Sequence, residues 1–290
     1  MHKSLFQSNE GYLSEIFSSI QGEGGTVRGS CFGKRQIFLR FSGCNLAGGE
    51  FGSKGCFWCD SIESQKFNVD YLKYEIMAGS EKFKHAKNPI NSLKIVEIIK
   101  KLITPDLHSF SFTGGEPLCQ LNFILNLSKE LKKSFPKIAL YLETNGSILS
   151  NDEEIKEISK LFQFCCCDIK DKSSRAASME KWKNLVDAEL EFINKMTLSN
   201  VNIFAKIVVT SHTEIQDIEC ICENLSHIKY PDGNGVGLAI QPAILELKKD
   251  KIKLALSSKM LNNIFYHAAK YINPESLTLS IQIHKFLGVL

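Results

Sequence analysis

SFSFTGGEP (109–117), LNFILNLSKELKKS (121–134) and IALYLETNG (138–146) follow one another closely and carry the signature of the fold. The first and third are short apolar runs that end in glycine-containing turns, while the second is amphipathic with a helical period. Strand, turn, helix and strand make a βα unit, and the same alternation continues on both sides. Strands are predicted over 36–41, 109–112, 138–142, 162–169, 202–209, 236–240 and 277–281, and helices over 92–103, 121–134, 152–161, 179–195, 214–225 and 258–271. Successive βα units build a parallel sheet. About six such units fall short of the eight that close a full barrel. The expected fold is therefore α/β, an open, partial (β/α)6-type barrel in a single domain over 1–290. Ligands in such sheets bind beyond the carboxyl ends of the strands. Chemistry-bearing residues fall there: Cys44 after the first strand, Thr113-Gly114-Gly115-Glu116 after the second, Glu143-Thr144-Asn145-Gly146 after the third, and Gln241-Pro242 after a later one.

A hydrophobic fraction of 43% and a charged fraction of 23% over 290 residues are ordinary for a globular protein, and allow a sizeable core without disulfides. The chain has no apolar run of membrane-spanning length and no signal-like start, so the expectation is a cytoplasmic protein without a membrane partner. Its ten cysteines then read as reduced thiols or metal ligands. A net charge of +3, with lysines scattered over helical faces, argues against nucleic acid as a partner. The stretch 66–91 reads as an insertion, with the lysine-rich part 79–91 as a mobile loop; 230–235 reads as a turn cluster.

Cys44, Cys56 and Cys59 share one glycine-rich stretch in a C-x11-C-x2-C spacing, with Phe57-Trp58 between the last two. Three soft thiolates on one loop can hold an iron–sulfur cluster and leave one iron without a protein ligand. A structural zinc site wants a fourth ligand, so the residues leave open a cluster, a catalytic metal, or three unrelated thiols. The paired glycines of Thr113-Gly114-Gly115-Glu116-Pro117 let backbone approach a ligand closely, although plain strand-to-helix turns share the pattern. Glu143-Thr144-Asn145-Gly146 ends a strand in small polar groups suited to a ribose or carboxylate, or simply makes an Asn-Gly turn. Lys170 stands at the tip of the next strand, where it can meet a carboxylate or water. Upstream, EIFSSIQGEG (15–24) runs an alternating strand into a polar loop. Gln21 and Glu23 there offer amide and acceptor groups to the donor-rich pyrimidine edge of a pterin or guanine. Arg40, four residues before Cys44, can fork onto a substrate carboxylate or sit in a surface ion pair.

These elements occur in one order: EIFSSIQGEG (15–24), LRFSGCNL (39–46), CFWCD (56–60), TGGEP (113–117), ETNG (143–146), IQP (240–242) and SIQIHK (280–285). Together they resemble radical S-adenosylmethionine (SAM) enzymes and, among these, the 7-carboxy-7-deazaguanine synthase family of queuosine biosynthesis. The resemblance implies a radical SAM carbon–nitrogen lyase that contracts a ring of 6-carboxy-5,6,7,8-tetrahydropterin with loss of ammonia. It implies one [4Fe-4S] cluster per chain, on Cys44, Cys56 and Cys59, whose open iron binds SAM. SAM would be cleaved to a radical that takes the substrate C6 hydrogen, and then be regenerated. By the same resemblance Trp58, Cys59, Asp60, Gly115, Glu116, Glu143, Thr144, Asn145, Lys170 and Gln241 belong to SAM, with Trp58 near the adenine. Ser61 matches a position, usually threonine, that ligates Mg2+, and a serine oxygen also suits that hard cation. Ile20, Gln21, Gly22, Glu23, Arg40 and Thr113 match substrate contacts. A flavodoxin-like electron donor and a homodimer are further implications.

Several features depart from the family pattern. The first cysteine gap is long, a variation the family knows. Asp168-Ile169-Lys170 stands where many members have Ser-Pro-Lys, so only Lys170 carries over. Cys165, Cys166 and Cys167 are consecutive on a strand, face alternately, and read as core. Cys220 and Cys222 point apart on a helix, so no second cluster is expected. His284 reads as structural before it reads as a site residue. Glycyl-radical enzyme activases, the nearest competitors, usually carry a DGPG-like element where this chain has QGEG. A non-catalytic iron–sulfur sensor would leave the GGEP and QGEG elements without purpose.

Overall fold

A computed structural model of the chain describes residues 9–148, 151–248 and 251–283. Its strands, in chain order, are β1 (Glu10–Gly11), β2 (Leu13–Ile20), β3 (Arg35–Phe41), β4 (Tyr71–Glu75), β5 (Phe83–Lys87), β6 (Ile90–Asn91), β7 (Leu107–Gly114), β8 (Ala139–Thr144), β9 (Phe164–Ile169), β10 (Asn202–Val209), β11 (Gly237–Pro242), β12 (Ile244–Lys248), β13 (Lys251–Leu254) and β14 (Leu277–Leu279). The helices are α1 (Ser92–Ile99), α2 (Leu121–Ser134), α3 (Asp152–Leu161), α4 (Trp182–Leu198), α5 (Ile215–Ser226) and α6 (Ser258–Ala268). Strands β3, β7, β8, β9, β10 and β11 with the six helices form six βα units. Their parallel pairing sits inside a ten-stranded sheet of order β14-β11-β10-β9-β8-β7-β3-β2-β4-β5. The two end strands, β14 and β5, are not paired with each other, so the barrel is open. No helix among the described residues is long and apolar enough to cross a membrane.

The alternation of side chains along each strand gives the sheet two different faces. One face meets the helices: Ile37, Leu39 and Phe41 of β3, Phe110 and Phe112 of β7, Leu140 and Leu142 of β8, Cys165, Cys167 and Ile169 of β9, and Ile203, Ala205 and Ile207 of β10 all join the main core. Helix α2 adds Phe123, Ile124, Leu127 and Leu131, an i, i+1, i+4, i+8 stripe. Each buried Leu, Ile or Phe among these contributes about 1.5–3 kcal/mol. The residues between them point the other way, and many are polar: Gln36 and Arg40, Ser111 and Thr113, Glu143, Asp168 and Lys170, Lys206. A sheet face this polar is built to hold something other than helices. Cys166 lies on this second face while Cys165 and Cys167 lie in the core, as their consecutive positions require.

Several elements differ from expectation: α1 ends at Ile99 and not at 103, α6 ends at Ala268 and not at 271, and β12 and β13 pair as a hairpin that the sequence did not announce. The stretch 79–91, read as a mobile loop, contains β5 and β6, and β4 and β5 form an antiparallel hairpin that extends the sheet past β2. Helix α4 starts at Trp182 and not at 179, because Lys181 N bonds back to Ser178 O in a turn and Ser178 N is drawn to Phe51 O. The turn at 230–235 is present, closed by Tyr230 N to Asn234 O at 2.8 Å. His284 lies outside the described residues.

Candidate active site

At the end of β3 the chain turns through Gly43, at φ 97°, into the cysteine-bearing loop. The long gap between Cys44 and Cys56 is a folded scaffold. Gly48 N bonds to Cys44 O at 2.8 Å and Gly52 N to Gly49 O at 2.9 Å. The loop then docks on the β9–α4 connection, through Ser178 N to Phe51 O (2.9 Å), Phe57 N to Ser174 O (2.8 Å) and Ser53 Oγ to Arg175 O. Leu46 and Phe51 pack with Ala176 and Leu185 into a small core of their own that includes Cys44 and Cys56.

Across the loop lies the TGGEP turn. A Cβ on Gly115 would stand 2.2 Å from Gly43 O and 2.4 Å from Ser64 O, so only glycine lets this turn pass beneath the cysteine loop. Glu116 then goes behind the cavity wall. Its carboxylate, 1% exposed, accepts from Thr144 Oγ1 (2.7 Å), Asn145 N (2.7 Å) and Leu118 N (2.9 Å). Asn145 Nδ2 in turn donates to Asn45 Oδ1 at 3.0 Å. The GGEP turn, the ETNG turn and the cysteine loop are thus tied together.

Cys44, Cys56 and Cys59 line one cavity of about 480 Å³, within the usual range for small-molecule sites. Burial pushes the Cys44 thiol above its ordinary range and the Cys56 thiol up to about 12. Such thiols stay protonated until bound metal displaces the proton. Among the described residues, no three His, Cys, Asp or Glu side chains converge on one point as a single ion requires. A cluster takes each thiolate on a different iron, and three soft sulfurs around one cavity fit it.

The same cavity is lined by Ile20, Gln21, Glu23, Arg40, Trp58, Asp60, Ser61, Thr113, Gly115, Glu143, Thr144, Asn145, Lys170 and Gln241. Of the residues expected from sequence, Gly22 and Glu116 are outside its lining. Gly22 instead accepts from Ile283 N at 3.2 Å. Trp58 rests on Val208, Ala243 and Ala255. Lys170 is held charged: burial works against its ammonium, but Asp168 Oδ2 at 2.7 Å overrides it and raises the pKa. Glu143 falls in with the residues expected at the substrate. Its carboxylate accepts from Gln21 Nε2 (2.7 Å), Ser111 Oγ (3.1 Å) and Thr113 Oγ1 (3.2 Å), and burial raises its pKa. Arg40 pairs with Glu15 at 3.2 Å and donates from Nη1 to Ser61 Oγ at 2.5 Å, while Ser61 Oγ donates to Asp60 Oδ1 at 3.1 Å. Two hard oxygen donors therefore stand side by side, a set suited to a hard divalent cation.

Asp168, Lys206 and Gln282 are among the cavity residues that the sequence did not point to as site residues. Asp168 and Lys206 are register partners on β9 and β10. Among the described residues Asp168 Oδ1 is buried without a hydrogen-bond partner, an acceptor left for a bound ligand. The one available signal was a lysine inside an otherwise apolar strand, IFAKIVV (203–209).

An open (β/α)6 sheet with three cysteines beyond its first strand is the architecture of a radical SAM enzyme, and residues 20–188 match the family described as a 4Fe-4S single cluster domain. Over nearly its whole length the chain is also similar to curated proteins named 7-carboxy-7-deazaguanine synthase. That of Thermococcus kodakarensis is 34% identical, over 96% of this chain and 98% of that one. Those of Methanocaldococcus jannaschii (33%; 96% and 100%) and Methanothermobacter thermautotrophicus (32%; 96% and 97%) are close behind. The chain belongs to the 7-carboxy-7-deazaguanine synthase family.

Proposed function

We propose that this chain converts 6-carboxy-5,6,7,8-tetrahydropterin to 7-carboxy-7-deazaguanine with loss of ammonia, on the way to queuosine. The observation that carries this reading is that one cavity is lined both by the three cysteines and by Gln21, Glu23, Arg40 and Thr113. A cluster on Cys44, Cys56 and Cys59, with SAM beside it, would supply the one-electron chemistry. The chain's own residues bind and orient. Lys170 offers a charged ammonium to the SAM carboxylate, Trp58 a flat apolar surface to its adenine, and Gly115, Asn145 and Gln241 close, small or amide-bearing walls. Glu143 holds Gln21 and Thr113 against the substrate, and Arg40 meets the substrate carboxylate.

Mg2+ belongs at Ser61 in this reading. Arg40 Nη1 stands on Ser61 Oγ; when Arg40 turns to the substrate carboxylate, Ser61 Oγ is released to the metal. A single domain over 1–290, a homodimer, a flavodoxin-like donor and a cytoplasmic location complete the reading. The test is anaerobic incubation of the iron-reconstituted chain with SAM, reductant and the carboxytetrahydropterin. Deazaguanine carboxylate and ammonia should form, and less of both when Mg2+ is chelated. Absence of product from a chain with an intact cluster refutes the reading.

A further inference from the structure

We infer that Lys206 is a positioning residue for pterin recognition: it fixes the Glu23 carboxylate as the acceptor for the two neighbouring N–H donors of the substrate's 2-amino-4-oxo pyrimidine edge. The inference rests on the pterin reading of the cavity.

Lys206 sits in the middle of β10, on the cavity face between Phe204 and Val208, with its side chain 9% exposed. An ammonium buried there is expensive unless paired. Its Nζ donates to Glu23 Oε2 at 2.5 Å and stands 3.7 Å from Asp168 Oδ2, the oxygen that Lys170 holds at 2.7 Å. The other Glu23 oxygen, Oε1, accepts from Gln282 Nε2 at 2.8 Å, and Gln282 also donates to Asp60 Oδ2 at 2.8 Å. Each Glu23 oxygen therefore has one fixed donor. An ionised carboxylate has about four acceptor positions, so each oxygen keeps a second one for the cavity. Two acceptors side by side match two donors side by side.

The neighbouring groups do not offer two acceptor positions side by side. Gln21 spends Nε2 on Glu143 (2.7 Å) and Gln36 (3.2 Å), and its Oε1 accepts from Glu23 N at 3.0 Å. Glu143 accepts from Gln21 and Ser111 on Oε1 and from Thr113 on Oε2, which leaves it one acceptor position and not two side by side. The Glu23 acceptor, moreover, is pinned from both sides by residues far away in the chain.

Calorimetric titration tests this with the full chain carrying its cluster and SAM, without reductant. The probes are 6-carboxypterin and its 2-oxo analogue, in which the 2-amino donor becomes an acceptor. Wild type should prefer the 2-amino compound. Lys206→Met should weaken 6-carboxypterin binding by about 30-fold or more, the scale of removing one partner from a buried charge pair, and lose most of the preference. Lys206→Arg should restore the preference, with iron content equal in all three. Lys206→Met binding both compounds in the wild-type ratio, or losing both equally, overturns the inference. A wild type that binds neither compound overturns the pterin reading and the inference with it.

Discussion

Replacing Gly115 by alanine places one methyl group where two backbone oxygens already meet. The new Cβ would lie 2.2 Å from Gly43 O, 2.4 Å from Ser64 O and 2.8 Å from Gly43 C, whereas real contacts stay above 3.0 Å. The backbone must therefore separate by about 1 Å, a form of overpacking that costs about 1–3 kcal/mol. Neither neighbour can yield alone, because Gly43 N is bonded to Ser64 O (2.8 Å), Glu116 N to Gly43 O (2.6 Å) and Gly115 N to Phe41 O (2.9 Å). For a domain of this size each kcal/mol moves the melting point by about 2 °C, so Gly115→Ala should melt about 2–6 °C lower. The displacement falls on Gly43, next to Cys44, and a misplacement of about 1 Å at a reacting centre costs on the order of 100-fold in rate. Thermal melts of the chain, iron content after anaerobic reconstitution, and product formation measure the three consequences. A variant that melts within about 1 °C of wild type and turns over at the wild-type rate would refute the claim that this glycine exists for close passage under the cysteine loop.

Other outcomes follow from single groups. Burial raises Asp171 from 3.8 to about 6. Between those values the folded chain keeps a proton that the unfolded chain has lost, so this group's contribution to stability falls as pH rises through the window, by about 3 kcal/mol at most. The melting temperature of wild type minus that of Asp171→Asn should therefore decrease from pH 4 to pH 7, and a flat difference would show that Asp171 titrates as it does in the unfolded chain. Cys165→Ala, Cys166→Ala and Cys167→Ala should each keep about four irons per chain, whereas alanine at Cys44, Cys56 or Cys59 should lower iron content. Equal loss from both groups would contradict the ligand assignment.

The βα alternation was legible because β7, α2 and β8 each carry a clean period: Phe110 and Phe112 against Ser109 and Ser111 on one strand, and the Phe123–Leu131 stripe on the helix. The β4–β5 hairpin was not. Lys84 and Lys87 charge the edge strand β5, with Lys82 just before it, which keeps such an edge from pairing further but erases the apolar–polar alternation of a buried strand. The same contrast runs through the site. Cys44, the GGEP glycines and the ETNG turn announce themselves, since strand ends that hold ligands need small and polar residues. Asp168 and Lys206 look like surface charges until β9 and β10 pair and set them face to face. Gln282 is 259 residues from the Glu23 it anchors, a distance no local pattern can span.

In the proposed reaction one cavity holds SAM against the pterin's C6. Carboxytetrahydropterin deuterated at C6, turned over by the reconstituted chain, tests it most directly. Deuterium should accumulate in the SAM recovered after many turnovers, with SAM not consumed. Deazaguanine product with no deuterium in SAM, or with one SAM destroyed per product, would contradict the proposed reaction.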